Sequence, residues 1–261
     1  MQNKLIQSKW IFTAIFLLAF AFNALFSNPL PIEASTVSNK AGARTVELAE
    51  NSKYQTELFI IESGKPGPVV LIVGGIHGSE TAGYTAAARV SEWKIAKGTL
   101  LVIPRANQLA IARNVRYLQS EGDLNRSFPQ SSKGDPNQVL SRAIWAVIKE
   151  YQVDWLMDMH EGIDYAKRSS SVGQSLIYYP NRVTESMARK IVNNLNSNIS
   201  TSYKKFSLLE YPVQGSLARA AGQYLGVKSF IFETCDDPAL SVRVNYQLKA
   251  ARTLLQELDM L

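Results

Sequence analysis

Short apolar runs alternate with longer helical stretches from residue 69 to residue 258, and few architectures tolerate that alternation. Residues 69–73, VVLIV, read as a buried strand. Residues 80–93 are alanine-rich and read as a helix, stopped near Lys97 and Gly98. A second strand spans 99–103 and ends at Pro104. Further strands are expected over 153–157, 175–179 and 229–232, and helices over 138–151, 183–199, 216–225 and 238–258. The pattern predicts an α/β fold: a single domain with a mainly parallel mixed sheet flanked by helices on both faces. A polar segment over 105–136 breaks the pattern. A loop of that length inside a compact domain is functional or disordered.

The N-terminus reads differently. Lys4 and Lys9 precede an apolar run over 10–26, and the small and polar stretch SNPLPIEASTVSNK follows. That order predicts a signal peptide, with Ala34 the last residue before cleavage. The run is also about as long as the shortest membrane-spanning helices, so an uncleaved anchor is the alternative. Residues 1–34 are thus expected to be a signal peptide or membrane anchor, and 35–261 the folded domain. Both versions predict an exported protein: extracellular, periplasmic or anchored outside the cytoplasmic membrane. The formal charge of +6 is spread without a dense basic block, which argues against a nucleic-acid partner. Membrane contact is expected only through the N-terminal segment.

Ligand chemistry is limited by composition. Cys235 is the single cysteine, which excludes an intrachain disulfide and an all-cysteine metal site. There are two histidines, His77 and His160, so a histidine-based site must use one or both. His77 and Glu80 stand three apart where the 69–73 strand turns into a helix, a spacing that lets both side chains face one point. Gly74, Gly75 and Gly78 would let the backbone bend close to an ion. His160 follows the 153–157 strand and Glu233 follows the 229–232 strand. In open α/β sheets, sites lie beyond the carboxyl ends of the strands. Two histidines and a glutamate leave one position open on zinc, the arrangement of a catalytic site. Asp158 shares a strand face with His160 and could orient it, whereas Glu161 should point to the opposite face. Singly, each feature has a plainer meaning. His-x-x-Glu is common as a surface pair, and the glycine-rich turn lacks the Lys-Ser/Thr of a phosphate loop. The stretch RYLQSEGDLNRSFP can be an exposed turn capped by Asp123, or an arginine–asparagine site for a carboxylate.

Together, GGIHGSE, RY…DLNRSFP, DMHEG and FIFET, in this order, resemble the zinc carboxypeptidase superfamily, and more closely its succinylglutamate desuccinylase/aspartoacylase branch. The resemblance implies a zinc carboxypeptidase-like hydrolase domain over 35–261, with one Zn2+ held by His77, Glu80 and His160. It implies Glu233 as the general acid/base and Arg116 as the group that polarises the scissile carbonyl, with Arg113 a rival for that role. It implies Asn125 and Arg126 as the pair that holds a substrate carboxylate, and Tyr211 as the active-site tyrosine, with Tyr203 and Tyr224 nearby. The substrate class that follows is a small molecule or peptide bearing a carboxylate, cut at an amide bond. N-acyl amino acid deacylation and carboxypeptidase or amidase action on peptides or cell-wall peptides are the competing activities, and a non-catalytic zinc-dependent binding module is a further one. Two departures bear on the substrate. Only one helix is expected after Glu233, where that branch carries a further β domain, and the targeting segment sets the chain apart from cytoplasmic members. Cys235 is expected to be a packed side chain, with no spare histidine to activate it.

Overall fold

The computed structural model describes residues 42–261, so the expected targeting segment lies outside the described residues. In chain order the strands are β1 (Gly42–Leu48), β2 (Thr56–Glu62), β3 (Val69–Gly74), β4 (Thr99–Ile103), β5 (Trp155–Gly162), β6 (Ser175–Tyr178), β7 (Ser207–Glu210) and β8 (Lys228–Cys235). The helices are α1 (Thr81–Val90), α2 (Gln108–Arg113), α3 (Val139–Glu150), α4 (Arg182–Asn196), α5 (Leu217–Leu225) and α6 (Leu240–Glu257). All eight strands join one sheet in the order β1-β2-β4-β3-β5-β8-β6-β7. The four central strands, β4, β3, β5 and β8, run parallel. β1, β2 and β6 pair antiparallel with their neighbours, and β7 runs parallel to β6 at the other edge.

Helices cover both faces, which is why the central strands read as unbroken apolar runs. On one face Val70, Ile72, Met157, Met159, Phe230 and Phe232 pack under α1, α4 and α6. On the other, Leu71, Val73, Leu156 and Ile231 pack under α3 and α5. Strand alternation fixes this division: odd positions of β5 face one core and even positions the other. The chain leaves β3 to form β4 on one side and returns to form β5 on the other. The order therefore reverses between β3 and β5, opening the crevice in which α/β sheets bind ligands. Among the described residues no helix is long and apolar enough to cross a membrane.

The structure departs from the sequence reading at several elements. β1, β2 and β7 were not expected. The polar segment 105–136 contains α2 and a 3-10 turn over Leu124–Arg126. α2 is short, but it starts at Asn107, whose side chain accepts from the Ala110 amide, and it ends at Asn114 in the left-handed region. β5 and β8 run further than their apolar cores, so His160 and Glu233 lie inside strands rather than after them.

Candidate active site and metal centre

His77, Glu80 and His160 meet at the carboxyl ends of β3 and β5. Their ligand-type atoms all lie within 4.8 Å of one another, and all three side chains are buried. His77 Nδ1 is 2.7 Å from Glu80 Oε1, and His160 Nδ1 is 2.8 Å from Glu80 Oε2. The two Nδ1 atoms stand 3.1 Å apart. The far ring nitrogens each face a carboxylate: His77 Nε2 lies 3.0 Å from Asp123 Oδ1, and His160 Nε2 lies 3.0 Å from Asp158 Oδ2. The Asp158 contact has ion-pair distance without hydrogen-bond alignment. A carboxylate behind each imidazole fixes its orientation and leaves Nδ1 turned to the shared point, an arrangement typical of histidines that hold a metal. Two imidazole nitrogens with a carboxylate suit zinc. The residues present therefore fit the ion that the motifs imply.

Local structure explains how these groups converge. Glu80 sits at the N-cap of α1, but its side chain turns to the histidines and makes no cap bond. Glu161 supplies the missing acceptor: its Oε2 takes the Ala82 amide at 2.7 Å, and its own backbone amide donates to Glu80 Oε2 at 3.1 Å. An anionic oxygen at a helix N-terminus is favoured by the orphan amides and the helix dipole there. The Glu161 side chain lies on the face opposite His160, as alternation requires. Arg243 of α6 donates to Glu161 Oε1 at 2.5 Å, and Gln247 of α6 donates to the His160 carbonyl at 2.8 Å. The last helix thus holds both the α1 N-terminus and the His160 backbone.

The glycines serve close backbone approach rather than contact with an ion. Gly75 turns the chain out of β3 at φ +75°. A Cβ at Gly78 would collide with the Ala110 backbone of α2. The Gly78 amide donates to the Arg116 carbonyl at 3.2 Å, which ties the arginine-bearing segment to the metal-ligand turn.

Arg116 reaches the cluster. Its Nη1 donates to Glu80 Oε1 at 3.0 Å, and Nη2 is 3.8 Å from Asp123 Oδ2. Arg113 instead donates back to the Leu109 carbonyl within its own helix. Asp123 does two jobs: Oδ1 accepts the Asn125 amide at 2.8 Å and also faces His77. Asn125 is buried and its Oδ1 has no partner. Arg126 donates to the Asn125 carbonyl at 2.8 Å. Glu233 is the register partner of His160 across β5 and β8, and its Oε2 is buried without a partner. A cavity of about 290 Å³ joins His77, Glu80, Arg116, Asn125, Arg126 and Glu233; Ile163, Val172, Ile177, Val213 and Ile231 form an apolar part of its wall, and Glu161, Gly162, Ser170 and Ser171 line the rest.

Charge is distributed unevenly over these groups. Burial pushes the Glu233 carboxyl up to about 8, and the Glu80 and Asp158 carboxylates add to that against the pull of His160 and Arg116. Burial also works against ionised Glu80, but the two histidines outweigh it and hold Glu80 well below the usual carboxylate range. Asp123 behaves likewise: His77 outweighs its burial and brings it down to about 2. For His160, burial disfavours the cation, yet Asp158 and Glu80 raise it well above the usual imidazole value. The site thus pairs one carboxyl biased to hold a proton with two biased to stay ionised, the separation that acid–base chemistry needs.

Seven of the eight expected site residues line this cavity or its metal cluster: His77, Glu80, Arg116, Asn125, Arg126, His160 and Glu233. Tyr211 does not line it; it is 56% exposed, stacks edge-on against Tyr179 and lies under the Arg219 guanidinium. Tyr203 packs against Tyr165, and the Tyr224 hydroxyl accepts from Gln214. Asp123 was expected only as a turn cap, and its bond to His77 had no local signal. Arg243, Gln247 and the apolar wall were not singled out either. Arg243 lies 82 residues from Glu161 and Asp123 lies 46 from His77, separations that carry no motif; only the fold brings them together. Cys235 is buried, and burial raises its thiol.

Comparison with known proteins follows the same lines. Residues 66–205 match the family model described as the succinylglutamate desuccinylase/aspartoacylase catalytic domain. The N-alpha-acetyl-L-2,4-diaminobutyric acid deacetylase of Halomonas elongata is 30% identical over 107 residues, which is 40% of this chain and 31% of that protein. Among solved structures, the mDAP-bound form of Helicobacter pylori Csd4, a D,L-carboxypeptidase, superposes with a TM-score of 0.66 at 23% identity, covering 75% of this chain and 52% of that one. A succinylglutamate desuccinylase/aspartoacylase from Rhodobacter sphaeroides gives a TM-score of 0.64 at 18% identity over 86% of this chain and 67% of that one. The chain therefore spans about a third of the deacetylase and about half of Csd4, and at these identities the two structures speak for the fold alone.

Proposed function

This chain belongs to the succinylglutamate desuccinylase/aspartoacylase family, and from that premise we propose that it is an exported, zinc-dependent hydrolase that cleaves an amide bond in a carboxylate-bearing substrate. One observation carries the reading: His77, Glu80 and His160 converge beside a buried, unpartnered Glu233 in a cavity that also contains two arginines. His77 Nδ1, His160 Nδ1 and the Glu80 carboxylate would hold the ion. When bound, it would supply Lewis-acid activation of water and of the scissile carbonyl and favour ionised Glu233.

The chain's own groups do the rest. Ionised Glu233 takes a proton from the attacking water as its oxygen bonds to the carbonyl carbon. Arg116 donates to the carbonyl oxygen as negative charge develops there. Glu233 then returns the proton to the amine nitrogen as the carbon–nitrogen bond breaks. Asn125 and Arg126 grip a substrate carboxylate and so align the amide with Glu233. Asp123 and Asp158 hold the two imidazoles in place. Deacylation of N-acyl amino acids is favoured by the match to the Halomonas elongata deacetylase. Peptide or cell-wall peptide hydrolysis is the second reading, favoured by the exposed rim at Ile163 and Val213, where a longer chain can lie.

Export rests on Lys4, Lys9 and the apolar run over 10–26. Fractionation of cells expressing the full chain tests it, and protein found wholly in the cytosol would refute it. The activity is tested by zinc-loaded protein on a panel of N-acyl amino acids and peptides, beside the Glu233→Gln variant. Turnover abolished in the variant with metal retained is the expected result; full turnover in the variant would overturn the scheme. Binding of these compounds with no turnover at all would identify a non-catalytic module instead.

A further inference from the structure

The family takes its name from substrates that carry two or more carboxylates, yet the cavity is furnished for one. Its cations among the described residues are Arg116 and Arg126. Arg116 is held against Glu80 and Asp123 at the metal cluster, where the reacting carbonyl must lie. That leaves Arg126, with Asn125, for a substrate carboxylate. The wall beside this anchor is apolar. Ile231 lies two residues before Glu233 on β8 and so faces the same side, and Ile177 of β6 is its register partner. Val172, Val213 and Ile163 extend this wall, and Ser170 and Ser171, both uncharged, border it.

Val213 is fixed next to the anchor by backbone contacts. The Phe128 amide donates to the Gly215 carbonyl at 3.1 Å, and Gly215 packs directly on the Arg126 backbone. The carboxylate-bearing residue of a substrate held at Asn125 and Arg126 would therefore direct its side chain at Ile177, Val213 and Ile231. A carboxylate placed there would be stripped of water with no cation to meet it. A cationic side chain would fare no better: Glu161 also lines the cavity, but its carboxylate is already engaged by Arg243, Thr234 and the Ala82 amide, and Glu80 and Glu233 belong to the metal cluster and the proton transfer.

Resting on the hydrolase reading above, we propose that this site selects substrates whose carboxylate-bearing residue has an uncharged, apolar side chain, and rejects dicarboxylates. Leucine and aspartate have nearly the same branched outline, so they make the comparison one of charge. N-acetyl-leucine against N-acetyl-aspartate, and alanyl-leucine against alanyl-aspartate, each in both chiralities at that residue, form the matched pairs. Zinc-loaded protein should favour the leucine member by about 100-fold or more in kcat/KM. Equal or greater kcat/KM for the aspartate member overturns the proposal.

Binding separates this claim from the hydrolase reading. Calorimetry of the same compounds on the zinc-loaded Glu233→Gln variant needs no turnover. Preferential binding of leucine compounds with no hydrolysis by the wild-type protein would sink the hydrolase reading and keep the selectivity. No preference, or no binding of either, would sink the selectivity. Val213→Arg adds a cation at a half-exposed loop position that should survive folding. It should narrow the leucine preference at least about 10-fold by admitting the second carboxylate; an unchanged ratio would count against the wall as the selecting element.

Discussion

Replacing Glu233 by glutamine should change both the stability of the metal-free protein and its turnover once loaded, and the two effects have separate magnitudes. Glu233 is buried, and its carboxyl is pushed up to about 8 from an ordinary 4.5. In the metal-free chain the folded state therefore keeps a proton that the unfolded state releases above about 4.5. Stability must fall as pH rises through that interval, and fall no further above about 8. At about 1.4 kcal/mol per pH unit the ceiling is ~5 kcal/mol. Glutamine has no proton to lose, so the variant escapes this penalty. Urea denaturation of chelator-treated proteins at pH 5 and pH 8.5 reads the difference. The two proteins should be close at the lower pH, and the variant should be more stable by several kcal/mol at the higher one. Zinc-loaded variant should meanwhile lose about 10²- to 10⁴-fold in kcat, the usual contribution of a positioned proton carrier. A stability gap that does not widen with pH would show that burial does not hold the proton on Glu233. Retained turnover would show that the carboxyl carries no proton in the reaction.

Four further outcomes follow from the same geometry. Asp123→Asn should weaken zinc binding about 10- to 100-fold by loosening the His77 ring, read by competition with a chromophoric chelator; unchanged affinity would reduce Asp123 to a turn cap. Gln247→Leu should also weaken zinc binding without removing any ligand, since it frees the His160 carbonyl; a variant with normal zinc affinity and lowered melting temperature would mark Gln247 as structural only. Gly78→Ala should destabilise the fold by about 1–3 kcal/mol, because its Cβ has no room against α2; a neutral melting temperature would contradict the close packing. Finally, Glu80 and Asp123 are held below their ordinary values, so the metal-free chain should lose their stabilising contributions as pH falls through the acid range toward about 2. Glu80→Gln should flatten that acid limb of a pH–stability profile, and an unaltered limb would contradict the pairing.

How far the sequence disclosed the structure depends on where each element sits. The central strands were legible because helices cover both faces, leaving VVLIV and its neighbours uniformly apolar. β1 was not, because it lies at the sheet edge with six of its seven residues exposed, GARTVE reading as polar linker. β7 is a four-residue edge strand with no buried position, so it carries no hydrophobic signature. The ends of β5 and β8 were clipped for a related reason: their last residues turn polar where they face the cavity, and apolar periodicity stops at the site. The same polarity made His160 and Glu233 conspicuous. His77 and Glu80 were readable from local spacing. The groups that hold them were not, because Asp123 meets His77 and Arg243 meets Glu161 only after the sheet and α6 have assembled. Arg116 and Arg113 could not be separated by sequence; the Gly78–Arg116 backbone bond is what sets one at the cluster and leaves the other on its helix.

Metal content tests the central claim most directly. The protein is treated with chelator, reloaded with zinc, desalted and measured by mass spectrometry of the metal, alongside His77→Ala and His160→Ala. The geometry predicts about one zinc per wild-type chain and a loss of nearly all of it in both variants, with each variant still folded by circular dichroism. A wild-type chain that takes up no zinc, or folded variants that hold as much as the wild type, would contradict it.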